Sequence, residues 1–104
     1  NNKDLLKKLK SNSQYFRKGL TRLGFDLIPG EHPIIPVMLG DAVLANKMAD
    51  ELLTEGVYVI GFSYPVVPKG KARIRTQMSA ALDEKHLDHA LGAFEKVGKK
   101  LGII

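Results

Sequence analysis

The sequence predicts an α/β (α+β) domain, a two-layer sandwich in which helices cover one face of a small, mostly antiparallel sheet of three or four strands. Three segments place apolar residues at the spacing of an amphipathic helix. Between them lie short apolar and β-branched runs bounded by turn residues, a pattern typical of strands. The chain has 104 residues, which is enough for one domain with a modest core and too few for a second.

The predicted elements follow one another in the order helix, strand, helix, strand, strand, helix. Helices are predicted over residues 4–23, 42–55 and 84–100, and strands over residues 33–39, 57–62 and 72–78, with a short extended piece at 25–28. Asp41 and Asp83 are predicted N-caps, and Gly56 is a predicted helix stop. Pro36 lacks the N–H that a ladder needs, so the first strand should have a free edge on that side or a bulge.

The composition excludes several classes of protein. Cysteine is absent, which excludes disulfides, thiolate metal sites and a cysteine nucleophile. The formal net charge is +5, but the basic residues are scattered along the chain, so we expect no nucleic-acid partner. No apolar run approaches the ~20 residues of a membrane span, and the N-terminus lacks a secretory signal. We therefore expect a cytoplasmic protein without a membrane partner.

Residues 61–81 carry the most informative pattern, because a proline-rich loop leads into a strand with two arginines. Alternation along that strand places Arg73, Arg75 and Gln77 on one face and the residues between them on the other. Prolines in the loop stiffen the approach to the strand. A guanidinium held on a stiff segment suits recognition of a carboxylate or phosphate. The alternative is a solvated edge strand whose charges prevent aggregation between sheets.

The other candidate sites rest on single residue types. His86 and His89 are i, i+3 neighbours on the last helix and could share a metal, but the spacing fixes no third ligand, so we predict no metal site. His32 lies in a turn and is a candidate for facing a ligand. The chain has no Walker, GxGxxG, GxSxG or HExxH motif, and we predict no catalytic residue within it.

Three stretches carry a family resemblance: HPIIPVMLGDA at residues 32–42, EGVYVIGFSYPVVPKGKARIRTQMSAA at 55–81 and FEKVGKKLGII at 94–104. They resemble the C-terminal small domain of the glycine C-acetyltransferases, also called 2-amino-3-ketobutyrate CoA ligases. These enzymes are α-oxoamine synthases within the fold-type I pyridoxal-phosphate enzymes. The resemblance extends over residues 15–104. It implies that residues 1–104 form one domain and that the large cofactor-binding domain is absent.

The resemblance also implies a reaction and the location of its functional groups. Such enzymes condense glycine with acetyl-CoA, giving 2-amino-3-ketobutyrate and CoA in threonine and glycine metabolism. Pyridoxal phosphate and the residues that bind it belong to the large domain. The chain is therefore expected to hold no cofactor by itself and to be inactive alone. Relatives are homodimers, and a eukaryotic member would be mitochondrial.

By resemblance, Arg75 binds the carboxylate of glycine, and the loop that contains Tyr64, Pro65 and Lys69 closes over the acyl-CoA entrance. The role of Arg73 stays open. Two alternatives also stay open. One is a sister enzyme, 8-amino-7-oxononanoate synthase or 5-aminolevulinate synthase, and the other is a freestanding module that binds anions. The assignment of Arg75 requires its side chain to lie on the sheet face that the helices leave uncovered.

Overall fold

The computed structural model describes residues 2–28, 30, 33–77 and 81–104. In chain order its elements are α1 (Asn2–Leu23), β1 (Asp26–Leu27), β2 (Ile34–Gly40), α2 (Ala42–Thr54), β3 (Ile60–Phe62), β4 (Ala72–Gln77) and α3 (Glu84–Lys100). The three predicted helices are confirmed, with bounds that differ from the predicted ones by two residues or fewer. None of the helices in these residues has the length and apolar character needed to cross a membrane.

The described strands form one antiparallel sheet in the order β1-β2-β4-β3. β2 and β4 are the central strands, and their pairing runs from Ile34 opposite Gln77 to Met38 opposite Arg73 before it shifts. β1 and β3 are edge strands of two and three residues. The predicted fold class is therefore confirmed, with four strands in the sheet.

The hydrophobic core lies between the sheet and the three helices. On the sheet, Ile35 and Val37 of β2 and Ala72, Ile74 and Thr76 of β4 are buried. The Thr76 hydroxyl donates a hydrogen bond to the Ile35 carbonyl at 3.0 Å, so this buried polar group is satisfied. The helices cover these residues with the buried side chains of Phe16, Leu20, Met48, Leu52, Phe94 and Val97. Since only alternate strand residues are buried, the helices lie on one face of the sheet.

Both predicted N-caps are confirmed by their hydrogen bonds. The Asp41 carboxylate accepts a bond from the Val43 N–H at 2.9 Å. The Asp83 carboxylate accepts from the His86 N–H at 3.1 Å, and Nδ1 of His86 accepts from the Asp83 N–H at 3.1 Å. This reciprocal capping box satisfies two backbone donors at the start of α3.

The end of α2 explains why β3 is shorter than predicted. Gly56 has a φ of +82°. Its N–H donates to the Leu53 carbonyl at 3.0 Å, and the Val57 N–H donates to the Leu52 carbonyl at 2.8 Å. These are the two bonds of a Schellman motif, so Val57 terminates the helix instead of pairing in the sheet. β3 begins only at Ile60, and the predicted strand was wrong over its first three residues.

Pro36 lies within a central strand, and a guanidinium compensates for its missing N–H. The Ile28 N–H donates to the Pro36 carbonyl at 3.4 Å. In an antiparallel pair the reciprocal bond to the Ile28 carbonyl would come from the N–H that proline lacks. Arg17 donates instead, from Nη1 to the Ile28 carbonyl at 2.8 Å and from Nη2 to the Ile34 carbonyl at 3.3 Å. The β1 ladder ends at Leu27 opposite Val37, so β2 has no ladder partner on that side at Pro36, in agreement with the predicted strand edge.

We expect Gly56→Ala to lower the free energy of unfolding by about 1–2 kcal/mol, because a Cβ is strained at a φ of +82°. Gly92→Ala is the matched control. Gly92 lies within α3 with open space around its Cα, so alanine there should raise stability by roughly 0.5–1 kcal/mol through helix propensity. Urea unfolding of the two variants measures both effects. Changes of the same sign in the two variants would contradict this description of the α2 terminus.

Candidate functional site

The predicted alternation along β4 is confirmed for the described residues. Ala72, Ile74 and Thr76 are 3%, 0% and 4% exposed beneath the helices. Arg73 and Arg75 are partly exposed on the other face. β4 pairs with a strand on each side, so the alternative of a solvated edge strand is wrong. The two guanidinium groups therefore lie on the sheet face that the helices leave uncovered.

Apolar side chains of the neighbouring strands surround the two arginines. Each arginine has one register partner on β2 and one on β3, and register partners in an antiparallel sheet project to the same face. We call the resulting surface the arginine face. It consists of one row with Pro36, Arg75 and Ile60 and a second row with Met38, Arg73 and Phe62. Apolar neighbours lower the local dielectric, which strengthens a charged hydrogen bond made there.

The Arg75 guanidinium rests on an aromatic ring. Its central carbon lies 4.9 Å from the centroid of the Phe62 ring, within the range of a cation–π contact. Among the described residues, Arg75 forms no ion pair with a carboxylate. A ring contact leaves the charge of the guanidinium unneutralised, whereas a carboxylate would neutralise it. Within the described part of the chain, Arg75 thus presents a positioned cation that no carboxylate neutralises.

Arg73 is held in a different way. Its Nε donates a hydrogen bond to the Lys71 carbonyl at 3.2 Å, two residues earlier in the chain. The side chain is thereby tied to the start of its own strand. This contact is with the backbone of the same strand, and it makes Arg75 the better candidate for binding an anion.

The loop between β3 and β4 brings together two of the residues predicted to form an active-site loop. The Lys69 ammonium lies 5.0 Å from the centroid of the Tyr64 ring. Two backbone hydrogen bonds close turns within the loop. Tyr64, Pro65 and Lys69 are all exposed. The loop starts directly after Phe62, so its first residues follow the ring on which Arg75 rests.

The described histidines bind backbone groups on the helical layer. His86 completes the capping box of α3. Nε2 of His89 lies 2.7 Å from the Glu55 carbonyl oxygen and connects α3 to the end of α2. No group of three metal-ligating side chains occurs among the described residues. His32, the candidate for facing a ligand, lies outside those residues.

The described lysines do not fit a site that holds pyridoxal phosphate. A lysine that forms a Schiff base needs a lowered pKa, from burial or a neighbouring cation. Every described lysine is exposed. The hydrogen bond and ion pair between Lys96 and Glu55 raise the pKa of Lys96 and lower the pKa of Glu55. The raised pKa of Lys96 is the opposite of the lowered pKa that a Schiff-base lysine needs.

A cleft of about 350 Å³ on the helical side of the sheet was not predicted. Its lining includes Phe16, Thr76 and Leu87 from three elements, together with Tyr58 and Lys85. No sequence motif marks it, because its walls come from distant parts of the chain. We assign this cleft no ligand.

Comparison with known proteins identifies the family. The model of the aminotransferase class I and II family matches residues 1–94. The chain belongs to this family. Over 97% of its length it is 54% identical to a protein of Salmonella typhimurium named 2-amino-3-ketobutyrate coenzyme A ligase, and it covers 25% of that protein. The resemblance recognised in the sequence is therefore confirmed.

Two further relatives extend the comparison. A protein of Symbiobacterium thermophilum named 8-amino-7-oxononanoate synthase is 50% identical over 93% of the chain, which covers 25% of that protein. A serine palmitoyltransferase structure from S. paucimobilis with bound PLP is 31% identical and has a TM-score of 0.88. That match covers 94% of this chain and 25% of the other. The chain thus spans about a quarter of the length of the relatives that it matches.

On the helical layer, away from the arginine face, the Tyr15 hydroxyl of α1 donates a hydrogen bond to the Asp88 carboxylate of α3. This bond is the main cause that raises the pKa of Tyr15 to about 12. The pKa of Tyr15 is higher in the folded chain than its ordinary value of about 10. The bond therefore contributes its full stabilisation of the fold at any pH below about 10. This contribution is lost as the pH rises through the folded pKa.

We expect Asp88→Asn to move the pKa of Tyr15 back towards about 10, because a neutral amide accepts a weaker hydrogen bond from the hydroxyl than a carboxylate does and carries no charge. The measurement is the ultraviolet absorbance of tyrosinate during an alkaline titration. Tyr15→Phe is the control, and it should remove the ionisation at the highest pH from the titration curve. Identical curves for the parent chain and Asp88→Asn would show that the contact between α1 and α3 is absent.

Proposed function

We propose that the chain is the C-terminal domain of a pyridoxal-phosphate-dependent acyltransferase that condenses glycine with acetyl-CoA. The products are 2-amino-3-ketobutyrate and CoA. The printed name of the relative at 54% identity supports this reaction. The observation that carries the proposal is the placement of Arg75 on an uncovered sheet face, resting on an aromatic ring and without a carboxylate partner among the described residues.

In this proposal Arg75 binds the carboxylate of glycine. Two guanidinium N–H groups donate to the two carboxylate oxygens in a bidentate pair. Glycine offers only an amine and a carboxylate, so once the amine is engaged, the orientation of the substrate depends on the carboxylate. The apolar register partners of Arg75, Pro36 and Ile60, flank the pair and strengthen it by lowering the local dielectric.

The cofactor belongs, in this proposal, to the part of the polypeptide outside these 104 residues. The exposure of every described lysine supports this placement. Leu5 and Leu6 at the start of α1 are 56% and 66% exposed, and we propose that they contact that same part. The isolated chain is accordingly inactive, and the complete protein works as a homodimer.

The loop with Tyr64, Pro65 and Lys69 is assigned to the entrance for acyl-CoA. Its exposure and its position directly after Phe62 support this assignment, because a thioester that acylates the substrate must approach near the bound carboxylate. Lys69 provides a cation at the loop surface for the anionic acyl-CoA. We attach no proton transfer to this loop.

The 8-amino-7-oxononanoate synthase at 50% identity makes a sister reaction the second candidate. Arg75 would then bind the carboxylate of a different amino acid. Kinetics of the complete protein with glycine and alanine, and with acetyl-CoA and longer acyl thioesters, separate the two reactions. We expect a preference for glycine and acetyl-CoA. A preference for alanine and a long acyl thioester would overturn the proposed reaction while leaving the role of Arg75 intact.

The alternative of a freestanding anion-binding module differs from the proposed enzyme domain in what it implies for carboxylate binding by the isolated chain. Such a module would bind small carboxylates at equilibrium without the rest of the polypeptide. We expect isothermal titration of the isolated chain with glycine or acetate to give no saturable binding. Saturable binding that Arg75→Ala abolishes would support the module and contradict the proposed enzyme domain.

We expect Arg75→Ala in the complete protein to lower kcat/KM for glycine by more than about tenfold, since truncating one partner of a buried charged pair typically costs about 2–5 kcal/mol. Arg73→Ala is the matched control and should have a smaller effect, because its Nε is bound to the Lys71 carbonyl. Steady-state kinetics with varied glycine measures both. Near-normal glycine kinetics in the Arg75 variant would defeat the assignment.

A further inference from the structure

Arg75 binds a carboxylate more tightly if its guanidinium is positioned before the carboxylate arrives. The side chain is long and has several rotatable bonds, and ordering such a side chain on binding weakens affinity. Among the described residues it has no carboxylate partner. The Arg75 guanidinium carbon instead lies 4.9 Å from the centroid of the Phe62 ring.

The sheet register makes this contact a diagonal one. Ile60 is the residue directly opposite Arg75, whereas Phe62 is directly opposite Arg73. An aromatic side chain is long enough to reach a diagonal neighbour on the same face. Arg73 is drawn away by the bond from its Nε to the Lys71 carbonyl. The Phe62 ring therefore contacts the guanidinium of Arg75.

An aromatic ring suits this task better than an acidic side chain would. A carboxylate partner would occupy the N–H donors of the guanidinium and neutralise its charge, so it would compete with a substrate carboxylate. A ring face attracts the cation without neutralising its charge. Phe62 is also partly buried at the end of β3, which limits its own movement.

We propose that Phe62 is a positioning residue for the substrate carboxylate, which it serves by holding the Arg75 guanidinium in place; this rests on the proposed function of Arg75. Because Phe62 is the last residue of β3, the position of the guanidinium is also coupled to the loop that follows. Phe62 acts on glycine binding through Arg75 and touches no reacting atom.

The test is the steady-state kinetics of Phe62→Leu in the complete protein. We expect the KM for glycine to rise by roughly 2- to 30-fold, the range of one cation–π contact, while the KM for acetyl-CoA stays unchanged. Phe62→Tyr and Phe62→Trp keep a ring face and should restore the KM for glycine. Tyr58→Leu, which removes an exposed aromatic side chain just before β3, is the matched control and should have no effect.

A double-mutant cycle separates this inference from the proposed function. In the Arg75→Ala background, Phe62→Leu should cause no further loss of glycine use. An unchanged KM for glycine in Phe62→Leu, or equal losses with and without Arg75, would overturn the positioning role. Normal glycine use by Arg75→Ala alone would instead overturn the proposed function. Should Phe62→Leu fail to fold, Phe62→Ile, which suits a strand, takes its place in the cycle.

Discussion

Strand β4 must bury apolar side chains and expose two cations within six residues, and its pairing register meets both demands. Ile74 is buried under the helices, and its two neighbours are arginines. A slip of one residue would turn both guanidinium groups into the core and every apolar group out. Burying an unpaired cation costs several kcal/mol, so the register is strongly specified. The helical layer, the core and the arginine face all follow from this one alignment.

Three arginines at different places in the fold make different contacts. Arg17 donates two bonds to carbonyls next to Pro36 and completes the sheet where proline cannot. Arg73 is tied to the backbone of its own strand. Arg75 contacts a ring and has no carboxylate partner among the described residues. The same chemical group thus binds backbone carbonyls in two places and rests on an aromatic ring in the third.

Local signals predicted the parts of the fold that depend on few residues. Asp41, Asp83 and Gly56 marked helix ends correctly, because caps are made by residues close in sequence. Alternation predicted the face of Arg75. The contact between Phe62 and Arg75 and the bonds of Arg17 were not predicted, because both depend on which strands become neighbours. The strand predicted over residues 57–62 was too long, because Val57 is the last residue of the cap that ends α2 and donates its N–H to the Leu52 carbonyl.

A crystal structure of the complete protein with glycine bound would show directly whether Arg75 binds the substrate. We expect two N–H···O contacts of about 2.7–2.9 Å between the Arg75 guanidinium and the glycine carboxylate, with the guanidinium still on the Phe62 ring. A glycine carboxylate bound by other groups, with Arg75 turned away from it, would exclude the proposed role of Arg75.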